Sequence, residues 1–218
     1  MNEKRHKETF DKISDEKRGR ILQAATKEFA EKGFSAANIN VIAKNAGISI
    51  GSMYNYFASK EDLFLTVFDQ GYKLLEKALV EVSVMEGDIF DKFESLIRVA
   101  QKSSRQYREL TQIYLDITSE GLTYLQQRLS RDFESITAKY YRDMINKAKN
   151  DGLVDQSIDE FVFSFCLDNL IVLLQFSYAS EYFKERMKIF AGEDSLENDE
   201  KMIKGIMHFI RGALAPRK

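Results

Sequence analysis

Proline is nearly missing from this chain: its 218 residues hold one, Pro216. With no interior proline and few Gly/Ser clusters, helices run uninterrupted, and an all-α architecture is the leading expectation. Tryptophan is absent and cysteine occurs once, as Cys166 inside the apolar run "FVFSFCLDNLIVLLQF". One cysteine cannot close an intrachain disulfide, so a reducing cytoplasmic setting is expected, with Cys166 packed as a small buried hydrophobe. The run from Phe161 to Phe176 is interrupted by Asp168 and Asn169 and is too short to span a membrane, and "MNEKRHKETFDKISDEKRGR" lacks the apolar core of a signal peptide. Neither secretion nor a membrane partner is expected. The two histidines, His6 and His208, are far apart in sequence and far from Cys166. No metal-ligand spacing, nucleophile motif or phosphate-cradling glycine loop occurs, so no metal, no cofactor and no enzymatic activity are expected.

Charge shows no overall excess, with a formal net charge of -2, but it is unevenly placed. Residues 1–60 carry 11 Lys and Arg against 7 Asp and Glu, leaving an acidic remainder. A basic first quarter on an acidic body fits one end meeting a polyanion, or an ordinary solvated face.

What is present is helical punctuation. Ser14 and Asp15 precede "EKRGRILQAATKEFAEKGF", where Ile21, Ala25 and Phe29 recur at helical spacing and Gly33 supplies a stop. Asn38 can cap "INVIAKNA", which Gly47 ends; Ser49 can cap a third short helix, Ile50 to Phe57. Two short helices joined by so tight a glycine turn form a helix-turn-helix. Ser59 then caps the longer "KEDLFLTVFDQGYKLLEKALVEV". Helical periodicity continues through Ile89–Ala100, Tyr107–Ile117, Leu122–Lys149, Ile158 to about Phe190, and Asn198–Leu214, with Ser157 and Glu160 placed for a capping box.

Within this frame, "AGISIGSMYNYFASKEDL" places two glycines, three aromatics and a lysine in 18 residues. Glycine costs roughly 1 kcal/mol against alanine inside a helix, so another requirement must outweigh that cost. A recognition helix in the major groove supplies one. Gly47 takes the positive φ of the turn, and Gly51 lets the backbone approach a phosphate. Tyr54 and Tyr56 offer hydroxyls to phosphates, Ser52 and Asn55 suit base edges, and Lys60 adds a phosphate contact, while Met53 and Phe57 anchor the helix inward. The alternatives are ordinary amphipathic packing for the tyrosines and a solvated first turn for Lys60.

The segments "ILQAATKEFAEKGF", "NINVIAKNAGIS" and "GSMYNYFASKEDL" resemble, in order and spacing, the DNA-binding signature of TetR/AcrR-family transcriptional regulators. Strong resemblance covers roughly residues 15–70. It implies DNA contacts from Arg18, Asn38, Ser49, Ile50, Gly51, Ser52, Tyr54, Asn55, Tyr56 and Lys60. Three positions depart from the family pattern: Asn38 stands where threonine is common, Ile50 where a lysine or arginine is common, and Tyr56 in place of histidine. A weaker phosphate grip, or more reliance on the arm "KRHK" and Arg18, follows, with a salt slope reflecting no more than about six neutralised phosphates per dimer.

The same resemblance implies an N-terminal three-helix domain with a basic arm over residues 1–60 and a helical effector-binding and dimerisation domain over 61–218, about nine helices in all. It also implies a homodimer built through the last two helices, a double-stranded operator and a small-molecule effector. Dimerisation is favoured on physical grounds too, because one recognition helix reads only a few base pairs. The penultimate helix is apolar on more than one face, through Phe161, Phe163, Phe165, Leu170, Ile171, Leu173 and Leu174, which serves a subunit core and a partner, or a core alone. Asp168 and Asn169 within it need partners: a ligand, a bond across the dimer, or a link inside one subunit. Tyr107, Tyr114, Tyr140, Tyr141, Gln175, Phe176 and Tyr178 are candidate companions in an apolar, aromatic effector site. The expected function is a repressor released by a small, largely apolar ligand; the alternative is a TetR-like protein that has lost its groove contacts and binds another protein.

Overall fold

A computed structural model describes residues 5–119 and 123–216, with the backbone alone for residue 119 and residues 123–133. The described residues form eleven α-helices, one 3-10 turn and no strand. They divide into two compact units: residues 5–73 with 109–119, and residues 74–108 with 123–216.

The first unit opens with a one-turn helix, α1 (Glu8–Asp11), followed by α2 (Asp15–Ala36), α3 (Ile39–Asn45) and α4 (Ile50–Tyr56). It takes in the first half of α5 (Lys60–Ser83) and nearly all of α7 (Arg108–Ser119). Ser14 caps α2 by accepting from the Lys17 amide at 3.3 Å, and Gly33, at φ 70°, bends the chain out of that helix. Its interior is apolar: Ile21, Ala25, Phe29, Ile42, Met53, Phe57, Leu63 and Leu65 are all fully buried. Phe64 stands edge-on to Phe29 and Phe34, each 5.0 Å away between centroids, geometries worth about 1 kcal/mol apiece beyond burial.

The second unit holds the rest of α5, α6 (Ile89–Gln106), α8 (Thr123–Asn150), α9 (Glu160–Ala179), α10 (Glu181–Ala191), a 3-10 turn (Glu193–Leu196) and α11 (Asp199–Leu214). α9 is central, packed on α6, α8 and α10, while α11 packs on α6. Phe93, Ile97, Ile145, Leu167, Leu174, Ile203 and Ile210 fill its core. α9 has 20 residues and is long and apolar enough, by length and composition, to cross a membrane; the run is longer than the sequence pattern indicates. In the fold one side of it packs on α6, α8 and α10.

Four boundaries differ from the sequence reading. α1 was not anticipated. α6 runs on to Gln106 because the polar "QKSSRQ" stays helical, burying Gln101 and Ser104. The capping box at Ser157 and Glu160 does not form: Asp159 caps α9 by accepting from the Phe161 and Val162 amides at 2.9 and 3.1 Å, Ser157 bonds Asp155, and Glu160 pairs with Lys149 at 3.3 Å. The expected helix from Ile158 to Phe190 breaks at Ser180, whose extended backbone (φ −98°, ψ 133°) ends α9 and starts α10. The "EG" break at 120–121 lies outside the described residues. Cys166 is exposed rather than buried. It shares a helix with Phe161, Val162, Phe165 and Leu173, which are 45–69% exposed, so this chain alone does not cover that face of α9.

Candidate nucleic-acid interface

Two short helices and the turn between them build the site. Asn38 opens α3 by accepting from the Asn40 amide at 2.9 Å, and its own amide donates at 3.0 Å to the buried Glu28 carboxylate on α2. α3 closes with paired bonds: the Ile48 amide donates to Ala43 at 3.0 Å and the Gly47 amide to Lys44 at 3.1 Å. This six-to-one closure requires a left-handed residue, supplied by Gly47 at φ 67°. Ser49 then starts α4, its Oγ accepting from the Ser52 amide at 3.1 Å and lying 2.9 Å from the Ser52 hydroxyl. The first-turn amides of Ile50 and Gly51 have no intrahelical acceptor, as at any helix start.

α4 presents two distinct faces. Met53 and Phe57 are fully buried, whereas Ser49, Ile50, Gly51, Tyr54 and Asn55 are exposed and Ser52 is half-buried. An alanine methyl at Gly51 would meet only the Ser49 Oγ, at 3.9 Å, so no contact within the fold requires glycine there.

The remaining predicted residues are tied into the domain. Tyr56 is 8% exposed, its ring 5.8 Å from Phe10 and 5.5 Å from the Lys17 ammonium. The Lys60 ammonium donates to the Ser35 and Ala37 carbonyls, both at 3.1 Å, and stands 4.9 Å from the Phe34 ring centroid. Arg18 donates to the Asp11 carbonyl at 2.8 Å and to the Asp15 carboxylate. Of the "KRHK" arm, Lys4 lies outside the described residues; Arg5, His6 and Lys7 fold back onto the domain. Lys44, exposed in the last turn of α3, was not singled out from sequence; a cation flanking a helix-turn-helix turn is the signal that would have found it.

In this architecture the sequence of residues 21–67 matches the profile of bacterial regulatory proteins, tetR family. These residues belong to the tetR family. The chain is 24% identical over 173 residues to the uncharacterized HTH-type transcriptional regulator YhgD of Bacillus subtilis (strain 168), covering 78% of this chain and 88% of that one. Its TetR-type fold matches that of a TetR family transcriptional regulator from Chloroflexus aurantiacus J-10-FL with a TM-score of 0.70 at 21% identity, over 97% of this chain and 99% of the other. A second match is FadR from Bacillus subtilis in complex with stearoyl-CoA, with a TM-score of 0.70 at 16% identity, over 87% and 97%.

The predicted effector residues fall into separate groups. Tyr141 is fully packed, its ring 5.9 Å from Tyr140 and 6.1 Å from Phe93. Burial, with the nearby Asp168 charge, holds its phenol well above the ordinary range. Burial and then the Glu134 charge raise the Asp168 carboxyl to about 7. Asn169 donates to the Phe165 carbonyl at 2.7 Å. Tyr178 belongs to another network: its hydroxyl accepts from Gln101 at 3.2 Å and reaches Asp199 at 3.4 Å, with the Arg105 guanidinium 4.4 Å from its ring. The Phe176 ring lies tilted 5.6 Å from Phe183, Gln175 is half-buried beside it, and the Tyr107 hydroxyl accepts from Gln106 at 3.1 Å. Tyr114 belongs to the first unit. Tyr140 lines a cavity of about 240 Å³ with Ile89, Lys92, Met144 and Lys147, and its hydroxyl is buried there without a partner among the described residues.

Proposed function

We propose that this chain is a TetR-family transcriptional repressor that binds a pseudo-palindromic operator in double-stranded DNA as a homodimer and is released by a small, largely apolar effector. The observation that carries it is α4: a helix anchored by Met53 and Phe57, capped by Ser49, whose exposed face holds Gly51, Tyr54 and Asn55. Short polar side chains there suit base edges, and the Tyr54 hydroxyl and backbone amides suit phosphates. Arg18, Asn38, Ile50, Ser52, Tyr56 and Lys60 are the further DNA contacts in this reading. Lys60 keeps one N–H for a phosphate after two carbonyl bonds.

Dimerisation accounts for the apolar residues left exposed on the last helices, Phe161, Phe165 and Leu173 on α9 and Phe209 on α11. An isolated soluble subunit rarely presents such a set. In functional terms residues 1–60 read DNA and residues 61–218 dimerise and sense, in the cytoplasm. Asp168 with Tyr140 and Tyr141 is the polar anchor proposed for the effector. The FadR structure holds an acyl-CoA, which makes CoA thioesters the first compounds to test.

Binding to an arbitrary duplex at low salt, followed by fluorescence anisotropy, tests the reading. DNA binding that weakens as salt rises, and weakens further in Tyr54→Phe, is the expected result. A folded dimer that ignores DNA at every salt concentration would favour the protein-binding alternative, for which the exposed apolar Ile50 speaks.

A further inference from the structure

Three carbonyls at the C-terminal end of α4 are occupied by one segment, residues 7–9. The Lys7 ammonium donates to the Tyr54 carbonyl at 2.7 Å, the Thr9 hydroxyl to the Asn55 carbonyl, and the Lys7 amide to the Tyr56 carbonyl at 2.8 Å. The last carbonyls of a helix have no intrahelical partner and are met by side chains, further turns or water. The segment is fastened on both sides. Arg5, itself 9% exposed, places its Nε 3.4 Å from the Asp69 carboxylate on α5, and its carbonyl accepts from the Thr66 hydroxyl at 3.3 Å. Phe10, 2% exposed, lies 4.7 Å from Phe57 and 5.8 Å from Tyr56 between centroids. His6 pairs with Asp11 at 2.8 Å.

We propose that residues 5–10 form a strap that fixes the recognition helix α4 against α5, with Lys7 and Thr9 as positioning residues for DNA reading rather than DNA contacts. The inference rests on the DNA-binding function proposed above. The bond from the Lys7 ammonium to the Tyr54 carbonyl sets the angle at which Gly51, Tyr54 and Asn55 meet the groove. A clamp of this kind acts on discrimination: it changes how well one helix face fits one sequence, and leaves the count of neutralised phosphates alone.

Two variants separate these roles. Lys7→Met removes the ammonium and keeps the stem; Thr9→Val removes a hydroxyl and no charge. Each is expected to weaken binding to the selected operator about tenfold, the effect of losing one hydrogen bond, while binding to unrelated duplex and the slope of log K against log salt stay as in the wild type. If Lys7 met a phosphate, Lys7→Met would lower the slope by about 1.8 for a dimer and weaken both duplexes equally, and Thr9→Val would bind normally; that pattern overturns the strap. Hydrogen exchange at the α4 amides of the DNA-free protein reads the clamp independently. Several-fold faster exchange in both variants, with global unfolding unchanged, is expected, and unchanged exchange overturns the inference. Because this second readout needs no DNA, a wild type that binds no duplex would remove the proposed function without deciding the strap.

Discussion

Replacing Gly51 by alanine should improve the protein and impair its work. Gly51 lies in the first turn of α4 with ordinary helical geometry, and an added Cβ would touch nothing closer than the Ser49 Oγ at 3.9 Å. The substitution therefore brings no clash and removes no contact. What remains is the propensity difference, roughly 0.5–1 kcal/mol in favour of alanine. For a chain of this size that corresponds to a rise in melting temperature of about 1–4 °C if the domain unfolds cooperatively. Bound to DNA, the same methyl would stand where the backbone approaches a phosphate, and losing one such contact costs about tenfold in affinity. Thermal unfolding of the free protein and anisotropy titration of a selected duplex give the two numbers. Higher stability with weaker binding is the expected pair. Full-strength binding by a stabilised Gly51→Ala would refute the reasoning, leaving the glycine without a physical account; a destabilised variant would refute the geometry of α4.

Gly47→Ala should do the opposite, lowering stability by about 1 kcal/mol through backbone strain alone, because φ is +67° and no atom lies within 4 Å of the added methyl; urea unfolding measures it. Asp168→Asn tests the buried carboxyl: its folded value of about 7, raised by burial and then by Glu134, means the fold favours the protonated form. The stability it contributes is complete below about pH 4 and lost as pH rises through 7, so the variant should gain on the order of 3 kcal/mol at pH 8 and little at pH 4. Urea midpoints across that range would show equal pH dependence if the carboxyl were in fact solvated. Phe165→Glu, on the exposed face of α9, should yield a folded monomer by sedimentation and weaken operator binding at least a hundredfold; a dimer of normal mass would place the interface elsewhere.

The recognition unit was legible because its signals are local. Caps such as Asn38 to the Asn40 amide and Ser49 to the Ser52 amide act within three residues, and Gly47 marks a left-handed turn that few other residues adopt. The burial of Met53 and Phe57 follows from their spacing. Features set by distant partners were not legible. Tyr56 looks like a phosphate ligand in sequence, but Phe10 and Lys17 cover its ring. Lys60 reads as a free cation, but the carbonyls of Ser35 and Ala37 accept hydrogen bonds from two of its N–H groups. The bonds from Lys7 and Thr9 to α4 cross 47 and 46 residues, beyond any periodicity. The break at Ser180 has no proline or glycine to announce it; packing of α10 back on α9 decides it. Cys166 sits in an apolar run, and no pattern within one chain shows which side of a core helix a second chain would cover.

The most direct test is selection by the purified full-length protein from a pool of random double-stranded DNA. Enrichment of a pseudo-palindrome with half-sites about one helical turn or a multiple of it apart, lost when Tyr54→Phe and Gly51→Ala are combined, is the predicted result. No enriched sequence at low salt from a folded dimer would contradict the account.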